Sequence, residues 1–357
     1  MSDYWISVLL IPTMKIAVAL GVIALVVAYM TLAERKVLGF IQARLAPRRV
    51  GPHGILQPIA DGLKLFIKED IVPDQADRLA FLLAPVVAII PAFAAFAVIP
   101  VAGHVAEIAG FEVAPWITDV NIGVLYVLSI TSLGIYGIIL GGWASNSKYS
   151  LLGALRSSAQ MISYEVPLGF SIIGVLMLAG TASLPGIVRW QEQQGWWIFF
   201  LQPVGFFLFL VSSYAETNRL PFDLPEAESE LVAGFHTEYS GMKFSFFFIA
   251  EYANMVLVCC VAVTLFFGGW LPPFPGLGNG ILNLGLDRIH PIVAGVFWFA
   301  TKVFFFLFLY IWLRGTFPRY RYDQLMDLGW KWLIPLAIAN VLVTGVLVLV
   351  FGMGGPA

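Results

Sequence analysis

Four carboxylates, Glu34, Glu165, Glu216 and Glu251, each lie inside or at the end of a long apolar run. An ionised side chain in hydrocarbon is costly unless it is paired or faces a wet cavity, so each is a candidate site by default. Acids that are buried and repel one another hold protons near neutral pH, and four at similar depth read as a hydrated acidic track able to move protons. The competing reading is a span-end residue reaching into the headgroup layer. It suits Glu34 best and Glu165 and Glu251 least, because they enter about one and two turns into their spans. Lys15 and Lys302 also fall within apolar runs, as counter-ions for these acids or as cations reaching an interface. The densest signal is the stretch 216–230, rich in acids against the single Arg219. There Asp223 and Glu226, with Pro225 between them, fit a capping box that starts a helix at its favourable dipole end. Glu228 and Glu230, at two-residue steps, would occupy different helix faces and so line a cavity or meet a partner.

The same inventory excludes most other chemistry. The two thiols, Cys259 and Cys260, are adjacent in an apolar run, and the four histidines, His53, His104, His236 and His290, show no metal-ligand spacing. Neither zinc, an iron–sulfur cluster nor haem has an evident ligand set. No glycine signature for binding a nucleotide follows a strand, and many of the 34 glycines fall in apolar segments, where small residues let membrane helices pack closely. No cofactor is expected in this chain, and any redox chemistry belongs to partners.

The elements that must position the acids follow from composition. Of the 357 residues, 59% are hydrophobic and 12% charged, against about 25% charged in soluble proteins, and mean hydropathy is +0.86. This excludes a soluble enzyme, and the net charge of −2 gives no basic footprint for nucleic acid. The fold class is an all-α polytopic membrane protein, a single membrane domain over 1–357. A bilayer core of about 30 Å needs about 20 apolar residues per helix, and eight segments qualify: 9–32, 79–101, 122–143, 161–181, 196–214, 244–268, 291–313 and 332–352. The first lacks a basic region before it and a small-residue cleavage site after it, and reads as a retained helix. Sixteen of the 20 Lys and Arg fall in alternate loops, which puts those loops in the cytoplasm and both termini outside. Two cytoplasmic loops are expected to matter, 33–78 and the acidic 215–243. In the first, Ile55, Ile59, Leu63 and Phe66 recur at helical spacing while Asp61, Lys64 and Lys68 share another face, which predicts an amphipathic helix at the membrane surface.

Several long motifs then carry a resemblance. Glu34-Arg-Lys, Arg49-Val-Gly-Pro-x-Gly-x-Leu-Gln-Pro-x-Ala-Asp61-Gly-x-Lys, Glu216-Thr-Asn-Arg-x-Pro-Phe-Asp-Leu-Pro-Glu-Ala-Glu-Ser-Glu-Leu-Val-Ala-Gly-Phe235 and Pro318-Arg-x-Arg-Tyr-Asp-Gln-Leu-Met326 are the core of it. Tyr239-Ser-Gly-Met-Lys243 and Ala250-Glu-Tyr-Ala-Asn254 extend it. Together they closely resemble the H-type subunits of respiratory NADH:quinone oxidoreductase, complex I, over nearly the whole chain. The resemblance implies a multi-pass subunit of an energy-transducing inner membrane that forms much of a quinone chamber and couples quinone reduction to proton translocation. It implies quinone as substrate, entering from the bilayer between spans one and six and the amphipathic helix. Flavin and iron–sulfur clusters would lie in peripheral-arm partners, which complete the quinone site, and antiporter-like membrane subunits would be its other neighbours. On that reading Glu165, Glu216, Glu228 and Glu251 carry proton coupling, with Asp61, Asp223, Glu226 and Glu230 as weaker members, and Arg35, Arg44 and Phe235 contact quinone.

Two departures stand out. Ala46-Pro47-Arg48-Arg49 replaces a turn that in relatives is often Gly-Pro-Asn followed by a basic residue, and Leu220 replaces a small residue. The first bears on tail preference, or gives Arg48 a partner carboxylate or lipid phosphate to contact. The rival readings are the related anchor of a proton-pumping hydrogenase or formate hydrogenlyase, disfavoured by the intact entrance helix, and a self-contained ion transporter, for which no broken-helix pair or internal repeat is evident. A scaffold role leaves Glu165 and Glu251 without purpose.

Overall fold

The computed structural model describes residues 9–108, 111–223, 233–273 and 290–352. Its helices are α1 (Ile11–Ile41), α2 (Gln57–Ile67), α3 (Arg78–Ala94), α4 (Gly123–Ala144), α5 (Lys148–Ala179), α6 (Leu184–Gln194), α7 (Ile198–Leu201), α8 (Pro203–Glu216), α9 (Gly241–Phe266), α10 (Pro291–Thr316), α11 (Tyr322–Asp327) and α12 (Ile334–Phe351). A π-helical turn, Leu328–Leu333, joins the last two. A short antiparallel pair, β1 (Ala106–Ile108) and β2 (Phe111–Val113), sets Ala106 opposite Val113 and is the one sheet among the described residues.

Seven helical segments among the described residues are long and apolar enough to cross a membrane. The protein is a multi-pass membrane protein, and seven of the eight expected spans are present as such helices. The fifth, expected over 196–214, is interrupted. Proline disfavours helical backbone at the residue before it, and Gln202, ahead of Pro203, takes φ −130° and ψ 54°. The chain is divided there into α7 and the 14-residue α8, which rises only about 21 Å. The break is held by a polar knot. Gln202 is buried; its amide donates to Thr344 Oγ1 at 2.6 Å and accepts from Asn340 Nδ2 at 3.0 Å, both on α12. Gly174 of α5 and Gly205 of α8 leave room for it, since an added Cβ would stand 3.1 and 3.0 Å from its amide oxygen.

Two helices begin or end beyond their apolar runs. α1 continues through Glu34 and Arg35 to Ile41, and α5 opens at Lys148, well before the apolar onset at Met161. Hydropathy ends a span where charges begin, but Ala, Glu, Arg, Lys and Leu are good helix formers and carry the helix onward. Glu34 therefore lies inside the helix, about two turns before its end. Glu165 lies about five turns along α5 and Glu251 about three along α9.

The amphipathic helix falls at the expected place. None of the residues of α2 is buried, and Ile59, Leu63, Phe66 and Ile67 are all exposed. It packs against α1 and α9. The interior is built around α5, which contacts α4, α8 and α12, and close approaches rest on small residues. A Cβ added at Gly137 of α4 would lie 2.7 Å from the Ala88 backbone nitrogen of α3. Gly137→Val should therefore cost roughly 1–3 kcal/mol and lower the thermal unfolding midpoint of the purified protein. Gly21→Ala, where an added Cβ meets nothing within 4 Å, should leave the midpoint unchanged or raise it.

Candidate functional site

The segment that follows α8 is tied down from several sides. Buried Gln160 of α5 donates through Nε2 to the carbonyls of Ala215 and Phe222, both at 2.8 Å. Asn218, whose φ of +50° is one that asparagine tolerates better than most residues, donates to Ser157 Oγ at 3.0 Å. At the far end Arg319 donates to Asp223 at 3.3 Å, Tyr320 N donates to Pro221 O at 3.0 Å, and the Phe222 and Tyr320 rings stack. Polar groups of α5 and of the α10–α11 link thus fix the backbone of 215–223.

That placement delivers Arg219 to the interior. Its Nη1 lies 3.3 Å from Glu34 Oε2 and its Nε 2.6 Å from Glu251 Oε1, so one guanidinium serves carboxylates from α1 and α9. Arg314, in the last turn of α10, pairs with the other Glu34 oxygen. Tyr252 donates to Glu34 Oε2 at 2.7 Å and lies beneath the Arg219 guanidinium, 4.1 Å from its ring centroid. The side chains of Glu34 and Arg219 are 6% and 7% exposed, a depth at which ions persist only when paired and hydrogen-bonded. Two acids and two arginines leave the cluster formally neutral, so one proton gained or lost there unbalances it.

Beside the cluster is a cavity lined by Glu216, Thr217 and Asn218 at the end of α8, by Phe235 and His236, and by Phe244, Phe247, Phe248, Glu251 and Asn254 of α9. The two carboxylates share a chamber whose other walls are mostly apolar, four phenylalanines with Ala88, Ile138, Met161 and Ala250 among them. Glu165 accepts a hydrogen bond from Ser132 of α4 and is within electrostatic reach of Glu216. His236, edge-on to Phe235 and Phe244, is driven by burial down to about 4 and is neutral at pH 7.

The structure thus brings Glu216, Glu251 and Phe235 to one cavity, with Glu165 alongside. Arg35 and Asp61 form a separate pair where α1 meets α2: Arg35 Nη1 lies 2.7 Å from Asp61 Oδ2, and Gln57 donates to the other oxygen at 3.1 Å. Burial pushes the Asp61 carboxyl up, but the Gln57 hydrogen bond and the charges of Arg35 and Lys64 outweigh it and hold it below the usual carboxylate range. Arg44 is exposed and apart. Asp223 is paired with Arg319, while Glu226, Glu228 and Glu230 lie outside the described residues. The lysines are not the counter-ions of the acids. Lys302 donates to the carbonyls of Phe267, Gly269 and Leu271 at 2.6–2.9 Å, and Lys15 to that of Trp116 at 3.4 Å. Arg219 and Arg314 fill that role, and Tyr252 and Gln160 join them as residues that hydropathy alone passes over. The signal that points to them is a lone arginine in an acidic segment, which must meet acids from elsewhere. Among the described residues no group of three or more His, Cys, Asp or Glu gathers to hold a metal.

Comparison with known proteins bears on the same residues. The family pattern described as NADH dehydrogenase matches residues 14–345. The H-type subunit 1 of the NADH-quinone oxidoreductase of Geobacter sulfurreducens is 53% identical, with 94% of each chain covered. The H-type subunit 2 of Geobacter metallireducens is 51% identical over 97% of this chain and 96% of its own, and that of Koribacter versatilis 51% identical over 95% and 97%. The chain belongs to the family of NADH-quinone oxidoreductase H-type subunits. Residues of the motifs that carry the resemblance in sequence, Glu34, Glu216 to Arg219, Phe235, Glu251, Tyr252 and Asn254, build the ion cluster and the cavity wall, so in this member of the family they converge in space.

Arg219→Leu takes a cation from Glu251 and leaves Glu34 with Arg314 and Tyr252 alone, and should cost about 3 kcal/mol. Arg219→Lys, which keeps the charge but cannot present Nε and Nη1 to two acids at once, should fall between it and the parent in thermal unfolding midpoint. For His236 the unfolded chain takes up a proton below its ordinary value of about 6.5, while the folded chain stays neutral down to about 4. Stability should fall as pH drops through that window, and His236→Gln should flatten that part of the pH–midpoint curve.

Proposed function

We propose that this subunit forms much of the quinone-binding chamber of a proton-pumping NADH-quinone oxidoreductase in an energy-transducing inner membrane, and that its buried acids pass the charge change of quinone reduction to neighbouring membrane subunits. The observation that carries this reading is the meeting of Glu216 and Glu251 at one aromatic cavity, with Glu251 sharing Arg219 with Glu34. An apolar, aromatic wall suits a lipid-soluble substrate, and a few convergent polar groups suit its headgroup. Electrons arrive from flavin and iron–sulfur clusters in peripheral partner subunits, so this chain supplies position and proton handling.

Quinone enters from the bilayer beside α2, where that helix packs on α1 and α9. Arg35, held by Asp61, and Arg44 face its path at the mouth, and Phe235 meets it at the cavity wall. Quinone reduction consumes protons as well as electrons. Removing a proton from the acids leaves like charges facing one another, and a switch of the acidic loop between two arrangements, in which the ties of Gln160 and Arg319 to 215–223 are broken and remade, would relieve them. Glu165, Glu216 and Glu251 form the described part of the relay to antiporter-like subunits, and Glu226, Glu228 and Glu230 extend it.

Glu216→Gln keeps the shape of the side chain and removes its proton exchange. In membranes where the variant complex is shown to assemble, quinone reductase and proton pumping should fall together, by about tenfold or more. Parental values of both would remove Glu216 from the relay.

A further inference from the structure

A helix with no buried residue is positioned by what holds its ends and its polar face, and α2 is such a helix. Asp61 ties its middle to Arg35 of α1. Its C-terminal end is tied elsewhere, to the segment 239–243 that leads into α9. Ser240 Oγ donates to Glu69 O at 3.0 Å and accepts from Ile71 N at 3.1 Å, so one hydroxyl bridges a donor and an acceptor of the backbone just beyond α2. Lys243 Nζ lies 2.9 Å from Asp70 Oδ1, with the lysine side chain 11% exposed and the aspartate 57%. Between them Gly241, at φ +57°, presses on the same backbone: an added Cβ would stand 3.2 Å from Lys68 O and 3.5 Å from Leu65 O. The chain on the other side of Ser240 is equally fixed. The Tyr239 ring stacks on Phe81 of α3 at 4.1 Å and 2°, and its hydroxyl donates to Phe81 O at 3.1 Å. Tyr239 N donates to His236 O at 3.0 Å, and His236 and Phe235 are walls of the acidic cavity.

We propose that Ser240 and the Asp70–Lys243 pair form a clasp that sets the position of α2 against the wall of the acidic cavity, a wall that Tyr239 and Phe81 hold on their own, which makes Ser240, Asp70 and Lys243 positioning residues for a long-tailed quinone. The proposal rests on the reading that quinone enters beside α2. The clasp touches neither the cavity acids nor the Arg219 cluster, and it holds the exposed apolar face of α2 at a fixed distance from Phe235. A tail running along that face would lose alignment when the clasp opens, whereas a headgroup with a short tail would not depend on it. The ion pair is half in solvent and worth little to overall stability, so its purpose is placement.

The test is a charge swap in assembled membranes, with the Michaelis constant measured for a long-tailed and a short-tailed quinone. Lys243→Asp sets two acids against each other and should raise KM for the long-tailed quinone at least about threefold, leaving kcat and the short-tailed KM within about twofold of the parent. Asp70→Lys with Lys243→Asp restores the pair in reverse and should return the long-tailed KM toward the parental value. Ser240→Ala, which keeps all charges, should raise the same constant in the same selective way and serves if the charge variants fail to assemble. A Ser240→Ala or Lys243→Asp complex that assembles with parental long-tail KM overturns the clasp, as does a swap no better than Lys243→Asp alone. A parental complex that reduces neither quinone overturns the entrance reading itself and the clasp with it, so the two failures are distinguishable.

Discussion

The Arg219 guanidinium lies between Glu34 and Glu251 in the interior of a chain whose composition offers ions almost no other place to rest. Two carboxylates on neighbouring helices at this depth repel one another and each carries a large desolvation cost, so α1 and α9 can bring their acids together only around a shared cation. Arginine suits the task because its planar fork presents separate nitrogens to separate acceptors. Arg314 and the Tyr252 hydroxyl complete the hydrogen bonding that one guanidinium leaves undone. One electrostatic requirement thus links α1, α9, α10 and the segment after α8.

Neutral polar residues and one lysine act where backbone would otherwise be left without partners. Gln160 supplies its amide to two carbonyls of the 215–223 segment, and Lys302 satisfies three carbonyls past the end of α9. Backbone carbonyls outside a helix need such partners where water is scarce. Lys302 serves the chain that leaves α9, and Gln160 serves the chain that carries Arg219 to the acids.

Much of this architecture is legible in the sequence. Apolar runs of membrane length mark seven helices, and the apolar stripe of 55–68 marks α2 nearly to the residue, because both signals are local and periodic. Glu216 and Glu251, which share a cavity wall with Phe235, stand out in the sequence for a related reason: a charge out of place in an apolar context demands an explanation, while Phe235 is picked out by the motif alone. The ion cluster is not legible in the same way. Arg314 looks like one more cytoplasmic positive charge, and Glu34 like a residue at the edge of a span, because hydropathy ends α1 about ten residues early. Which cation meets which acid is decided by contacts across nearly the whole chain, Glu34 with Arg219 and Arg314, and no spacing rule encodes them. The break at Gln202 is half legible: Pro203 announces it, but the partners that make it stable, Asn340 and Thr344, lie far away in sequence.

The polar knot at that break has a mechanical consequence. α8 is a stiff rod of 14 residues, clamped at its base by Gln202, Asn340 and Thr344 and carrying Glu216 at its tip, with Arg219 just beyond. Its tip is held as well, where Gln160 of α5 donates to the Ala215 carbonyl, so the rod is a beam built in at both ends. Such a beam is far stiffer than one with a free end, and Glu216 keeps its place over the cavity because the last membrane helix holds one support and α5 the other.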